Sequence, residues 1–65
     1  MNMTMENEVR IDWYLKAENV LLSAKNIDQL RVGKNYIDFY LKQTNDSSGY
    51  EVLVRKFFIR YNELS

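Results

Sequence analysis

Almost nothing in this chain stops a helix. Proline is absent, and Gly33 and Gly49 are the only glycines in 65 residues. Breaks between elements must therefore come from capping side chains. Asn26-Ile27-Asp28-Gln29 has the form of a capping box: the Asn26 side chain accepts from the Gln29 amide, and Gln29 reaches back to the Asn26 amide. Ser48-Gly49-Tyr50-Glu51 repeats it as Ser-x-x-Glu after the polar loop Thr44–Gly49, TNDSSG. Thr4 and Asn7 are suitable caps further upstream, with Glu6 and Glu8 favourable in a first turn. These signals predict an all-α, three-helix domain with helices over about residues 7–24, 27–43 and 49–64. The link between the first two is only about two residues, which makes them an antiparallel hairpin. The whole of 1–65 reads as one small domain, with 1–6 expected to be flexible.

The periodicity supports three helices and leaves apolar surface over. At about 100° per residue, Val9, Trp13, Tyr14, Ala17, Val20, Leu21 and Ala24 gather on one side of the first helix. Ile11, Leu15 and Leu22 form a second stripe on the far side. A helix apolar most of the way round is buried on more than one side. In the second helix, Leu30, Val32, Gly33, Tyr36, Ile37, Phe39, Tyr40 and Leu41 take up about half the wheel. The third carries a heptad-like seam of Tyr50, Leu53, Val54, Phe57, Tyr61 and Leu64, with Val52 and Ile59 seven apart on the opposite side. The alternative is a helix plus a β-hairpin, because YIDFYLKQ and YEVLVRKFFI are rich in β-branched and aromatic residues. Strict alternation, however, would put Lys56 and Arg60 on one face with Tyr50, Val52, Val54 and Phe58, whereas the helical period separates them.

Composition removes most chemistry. There is no cysteine and no histidine, so disulfides, thiolate metal sites, cysteine nucleophiles and the commonest general base are excluded. A chain this short buries only about 60% of its unfolded surface, and oligomerisation is the remedy that survives. Nine basic residues balance nine acidic ones, which argues against a dedicated nucleic-acid binder. No run is apolar for the roughly 18 residues that span a bilayer, and the acidic, polar start MNMTMENEVR is neither a secretory signal nor a transit peptide. A cytoplasmic location is expected.

The remaining motifs resolve to surface features. Aligned on Gly49, a calcium loop would begin at Thr44 and continue through Asp46 and Ser48, but its twelfth position is Arg55, where a bidentate Glu is needed. Glu8 and Asp12 lie one turn apart with no cleft to separate their pKa values. The serines have no activating base, and the isolated glycines make no phosphate loop. A helix-turn-helix drawn around Gly33 would read DNA with Asp38 and aromatic residues, where Arg, Asn or Gln are needed. Arg55, Lys56 and Arg60 are the candidates for phosphate contacts. No catalytic residue, cofactor site or metal site is expected.

The run Ser23-Ala24-Lys25-Asn26-Ile27-Asp28-Gln29-Leu30, continued by Val32, Tyr36-Ile37 and Phe39-Tyr40, resembles a pattern in short uncharacterised bacteriophage and mobile-element reading frames. In those, a small residue, a capping turn, Gln-Leu and Tyr-Ile recur across a helical hairpin. The chain departs from the pattern at Gly33, where Ala is usual. The resemblance implies a helical phage accessory protein and carries no active site.

The expected function is non-enzymatic protein–protein interaction, with a host or phage protein as partner and with self-association as a homodimer or higher oligomer. The interface candidates are Ile11, Leu15, Leu22, Gly33, Tyr36, Phe39, Tyr40, Val52 and Ile59. A small nucleic-acid-binding regulator using Arg55, Lys56 and Arg60, or a virion or assembly component, is the alternative.

Overall fold

The computed structural model describes the backbone of residues 3–65 and the side chains from residue 8 onward. The flexibility expected for 1–6 concerns Met1 and Asn2, which lie outside the described residues, and 3–6, whose backbone is helical. Three helices follow one another: α1 (Met3–Ser23), α2 (Ile27–Thr44) and α3 (Ser47–Leu64). No strand occurs among the described residues, so the β-hairpin alternative is set aside. The helices pack as an up-down-up bundle measuring 45 × 17 × 14 Å. The α1–α2 contact is the most extensive and the α1–α3 contact the least.

The turns explain where each helix begins and ends. Asn26 is extended (φ −153°, ψ 173°), and its side chain accepts from the Gln29 amide at 2.8 Å. The reciprocal half of the box closes one residue earlier than expected: Gln29 Oε1 accepts from the Lys25 amide at 2.8 Å. Asn45 ends α2 in the left-handed region (φ 56°, ψ 27°), and its amide donates to the Leu41 carbonyl at 2.7 Å. Asparagine tolerates that conformation better than other non-glycine residues. With the chain reversed at Asn45, Asp46 becomes the cap of α3 and accepts from the Gly49 amide at 3.2 Å. This corrects the expectation that Ser48 caps the helix. Ser48 lies in the first turn of α3 instead, because an aspartate two residues upstream already meets the free amide. Likewise α1 is already helical at Met3, ahead of both Thr4 and Asn7. Methionine and glutamate are good helix formers and carry the helix through both candidate caps.

Ala17, Leu21, Ala24, Leu30, Ile37, Tyr40 and Leu53 form the buried core. Trp13, Tyr14, Tyr36, Tyr50, Val54, Phe57 and Leu64 pack around it, partly covered. Fully burying a Leu- or Phe-sized side chain contributes about 1.5–3 kcal/mol, so seven buried residues, two of them alanine, make a thin core. Helices α1 and α2 approach closely at buried Gly33, where a Cβ would lie 2.7 Å from Leu21 Cδ2. Val9, expected among the core residues of the first helix, is 49% exposed, and Tyr61, expected in the seam of the third, is 42% exposed. Tyr61 lies instead against Phe57, with ring centroids 6.3 Å apart.

Candidate functional site

The third helix reaches the first through two polar contacts that set their relative register. Lys56 donates to Glu18 and lies 5.4 Å from the centre of the Tyr14 ring. Those two acceptors hold the Lys56 ammonium above its ordinary pKa, the Glu18 hydrogen bond first. One turn further on, Arg60 Nη2 donates to the Ala24 carbonyl at 2.6 Å, and Nη1 pairs with Glu63 at 3.1 Å. The last turn of α1 has no basic residue of its own, and a cation borrowed from α3 satisfies the Ala24 carbonyl just past its end.

These contacts join residues 38 and 36 apart in sequence. At the intermediate offset, Leu15 is level with Val52 and Leu22 with Ile59. The two stripes read separately in the sequence therefore lie side by side along one seam. Leu22 is 64% exposed, Ile59 59%, Leu15 48% and Val52 40%. Ile11 extends the band and is also half exposed. Leu22 and Ile59 wall a groove of about 210 Å³ floored by Leu21, with Glu18–Lys56 and Arg60–Glu63 around it. All four of those charged side chains are paired with one another across or along the groove.

Other interface candidates are placed differently. Tyr40 and Gly33 are corrected: both are buried inside the bundle, Tyr40 wholly so, and neither can meet a partner. Tyr36 is half-buried against the core. The broad apolar arc of α2 is used to hold α1 and α3, because the tyrosine hydroxyl of Tyr40 finds an internal acceptor. Phe39 remains half exposed on the α1–α2 face, 6.3 Å from Trp13. Val32 is also exposed there, while Lys16 lies 5.8 Å from the centre of the Trp13 ring. Of the nucleic-acid candidates, Lys56 and Arg60 are engaged within the chain, which leaves Arg55 exposed on its own.

The polar cluster at the α2–α3 turn is structural. Tyr40 donates to Asp46 Oδ2 at 2.6 Å, and Arg10 of α1 lies 3.6 Å from the same oxygen. The Tyr40 hydrogen bond and the Gly49 amide hold the Asp46 carboxyl below its ordinary pKa. Burial, then the Asp46 carboxylate, pushes the Tyr40 hydroxyl up. With its oxygens already facing Gly49, Tyr40 and Arg10, Asp46 is no free cation ligand. No group of three potential metal-ligating carboxylates forms among the described residues. Sequence reasoning offers Arg60 to phosphate and sets Asp46 in a calcium loop that fails, and it misses the roles both take, at the Ala24 carbonyl and at the Gly49 amide. A signal for Arg60 existed, since on the wheel it adjoins the apolar seam of α3, about 20° from Leu53.

The fold and this surface define a small three-helix bundle with an exposed apolar seam between parallel first and third helices. No protein-family model, curated protein or solved structure matches the chain.

Proposed function

We propose that this protein is a non-enzymatic protein-binding module that works through the α1–α3 seam. The observation that carries the reading is the exposure of Leu15, Leu22, Val52 and Ile59, with Leu22 and Ile59 walling one groove between α1 and α3. Contiguous exposed apolar surface on a small domain marks a contact site for another macromolecule. The rim charges are internally paired, so they orient the apolar residues without offering a free nucleophile, base or phosphate clamp. The resemblance of Ser23–Tyr40 to phage reading frames supports an accessory factor that binds and modulates a host or phage protein in the host cytoplasm.

Affinity capture from a host-cell lysate with tagged protein tests this. Wild-type protein retains a stoichiometric partner, either a lysate protein or an untagged copy of the chain added to the lysate, the L22E/I59E variant loses it, and a Phe39→Glu variant on the other face keeps it. Identical capture by wild type and L22E/I59E refutes the assignment of the seam.

A further inference from the structure

We infer that the occupant of the α1–α3 seam is a second copy of this chain, related by a twofold axis perpendicular to the long axis of the bundle. The inference rests on the protein-binding reading above and names the partner. Area is the first argument. A standard interface takes about 800 Å² from each partner, close to the footprint of a whole 45 by 17 Å face of this molecule. A partner of this size covers the full band from Ile11 to Ile59, and another copy of the chain has the matching length.

Charge is the second. A twofold interface sets a surface against itself, so any net charge on it is doubled and repelled. On the α1–α3 face Glu18 pairs with Lys56 and Glu63 with Arg60, leaving the seam balanced. The α1–α2 face is unlike it: Lys16 and Lys42 lie beside Trp13 and Phe39 and make no ion pair with a described residue, and Asp38, the acid in the Phe39 groove, is already paired with Lys34. Self-pairing is favoured on the first face and opposed on the second.

The orientation follows from the helices. Because α1 and α3 run parallel, a second copy in the same direction would align four helix dipoles, whereas an antiparallel copy alternates them. The antiparallel arrangement also sets Leu15 and Val52 of one chain against Leu22 and Ile59 of the other. Each of the two resulting layers then contains the same four residues, so both fill equally.

Sedimentation equilibrium of the whole chain tests the pairing, with far-UV circular dichroism reporting fold. Wild type is expected to be a dimer at micromolar concentration. L22E/I59E stays helical with its dissociation constant raised more than about a hundredfold, as for charging two central contact residues. The milder L22S/I59S variant weakens the dimer in the same direction, and F39E leaves it intact. A wild type that is monomeric at high micromolar concentration, or a dimer lost in F39E and kept in L22E/I59E, overturns the inference. Since the chain has no cysteine, orientation is read by cross-linking. A mixture of Leu15→Cys and Leu22→Cys chains is bridged by a short bifunctional maleimide, and L15C alone is not; the opposite pattern overturns the antiparallel arrangement. A monomer that still captures a lysate protein through Leu22 and Ile59 sinks self-pairing alone, while a monomer that captures nothing through them sinks both readings.

Discussion

Asp46 performs three tasks at one turn, and removing it should cost more than the loss of a helix cap. In Asp46→Ala, the Gly49 amide loses its acceptor, a change worth about 1 kcal/mol for a typical N-cap. The larger loss concerns Tyr40. Its ring is wholly buried, and its hydroxyl donates to Asp46 at 2.6 Å, so the substitution orphans a donor inside the bundle at about 1–3 kcal/mol. The sum is about 3 kcal/mol. A domain of this size is stable by roughly 3–10 kcal/mol at about 0.05–0.15 kcal/mol per residue. The melting temperature should fall by roughly 12–24 °C, at 4–8 °C per kcal/mol. Tyr40→Phe alone should cost only about 1 kcal/mol, because the freed Asp46 oxygen still faces Arg10 and solvent. In the Tyr40→Phe background no hydroxyl is left to orphan, so Asp46→Ala should then cost about 1 kcal/mol, the cap alone. Urea titrations of the four proteins, followed by far-UV circular dichroism at low temperature, give a coupling of about 1–2 kcal/mol. If the two substitutions add within about 0.5 kcal/mol, the hydroxyl is not bound as described and the reasoning fails.

Gly33→Ala gains about 1 kcal/mol of helix propensity and sets a methyl against buried Leu21, at an overpacking cost of about 1–3 kcal/mol. A net loss of about 1 kcal/mol follows in urea titration, turning to a gain in a Leu21→Ala background where the space is open. Arg60→Gln removes the charged donor to the Ala24 carbonyl and should cost about 1–2 kcal/mol, with amide exchange accelerating at the end of α1 before α2 is affected. Stability should also depend on pH at both extremes. The Asp46 carboxyl lies below its ordinary 3.8 in the folded chain, so its contribution is present above that value and lost as acid carries the pH through the folded pKa; Asp46→Asn flattens that limb. Tyr40 and Lys56 are raised above 10.0 and 10.5, so their contributions hold below those values and vanish as the pH rises through the folded ones. Urea midpoints across the range read out both limbs.

The helices were legible because their signals are local. Asn26 with Gln29 is a cap whose geometry depends on four consecutive residues, and the second helix begins where it was expected. Ser48 misled because two caps compete within three residues, and the choice between them depends on the left-handed turn at Asn45 and on Tyr40 reaching round to Asp46. Those are facts about how α2 meets α3. The same limit explains the site. Ile11, Leu15, Leu22, Val52 and Ile59 were visible as surplus apolar positions on two separate wheels, but their alignment depends on the register between α1 and α3. That register is set by Lys56 and Arg60, which sequence reasoning had assigned to phosphate. Tyr36 and Tyr40 stand out in the sequence as part of an apolar arc of α2 broader than two neighbouring helices need, and which part of that arc is covered depends on how α1 and α3 pack. In the fold, Asp46 supplies the polar partner that water would have supplied outside.

The carbonyl of Ala24 is completed by Arg60, the sixtieth of 65 residues. During synthesis the α1–α2 hairpin can form while α3 is still being added, yet the end of its first helix stays open until Arg60 has been made and can reach it. The same dependence makes the chain intolerant of shortening from its C-terminal side. A clip between Lys56 and Arg60 removes roughly the last one to two turns from one helix and unfastens the end of another, so local damage to α3 becomes fraying of the whole bundle.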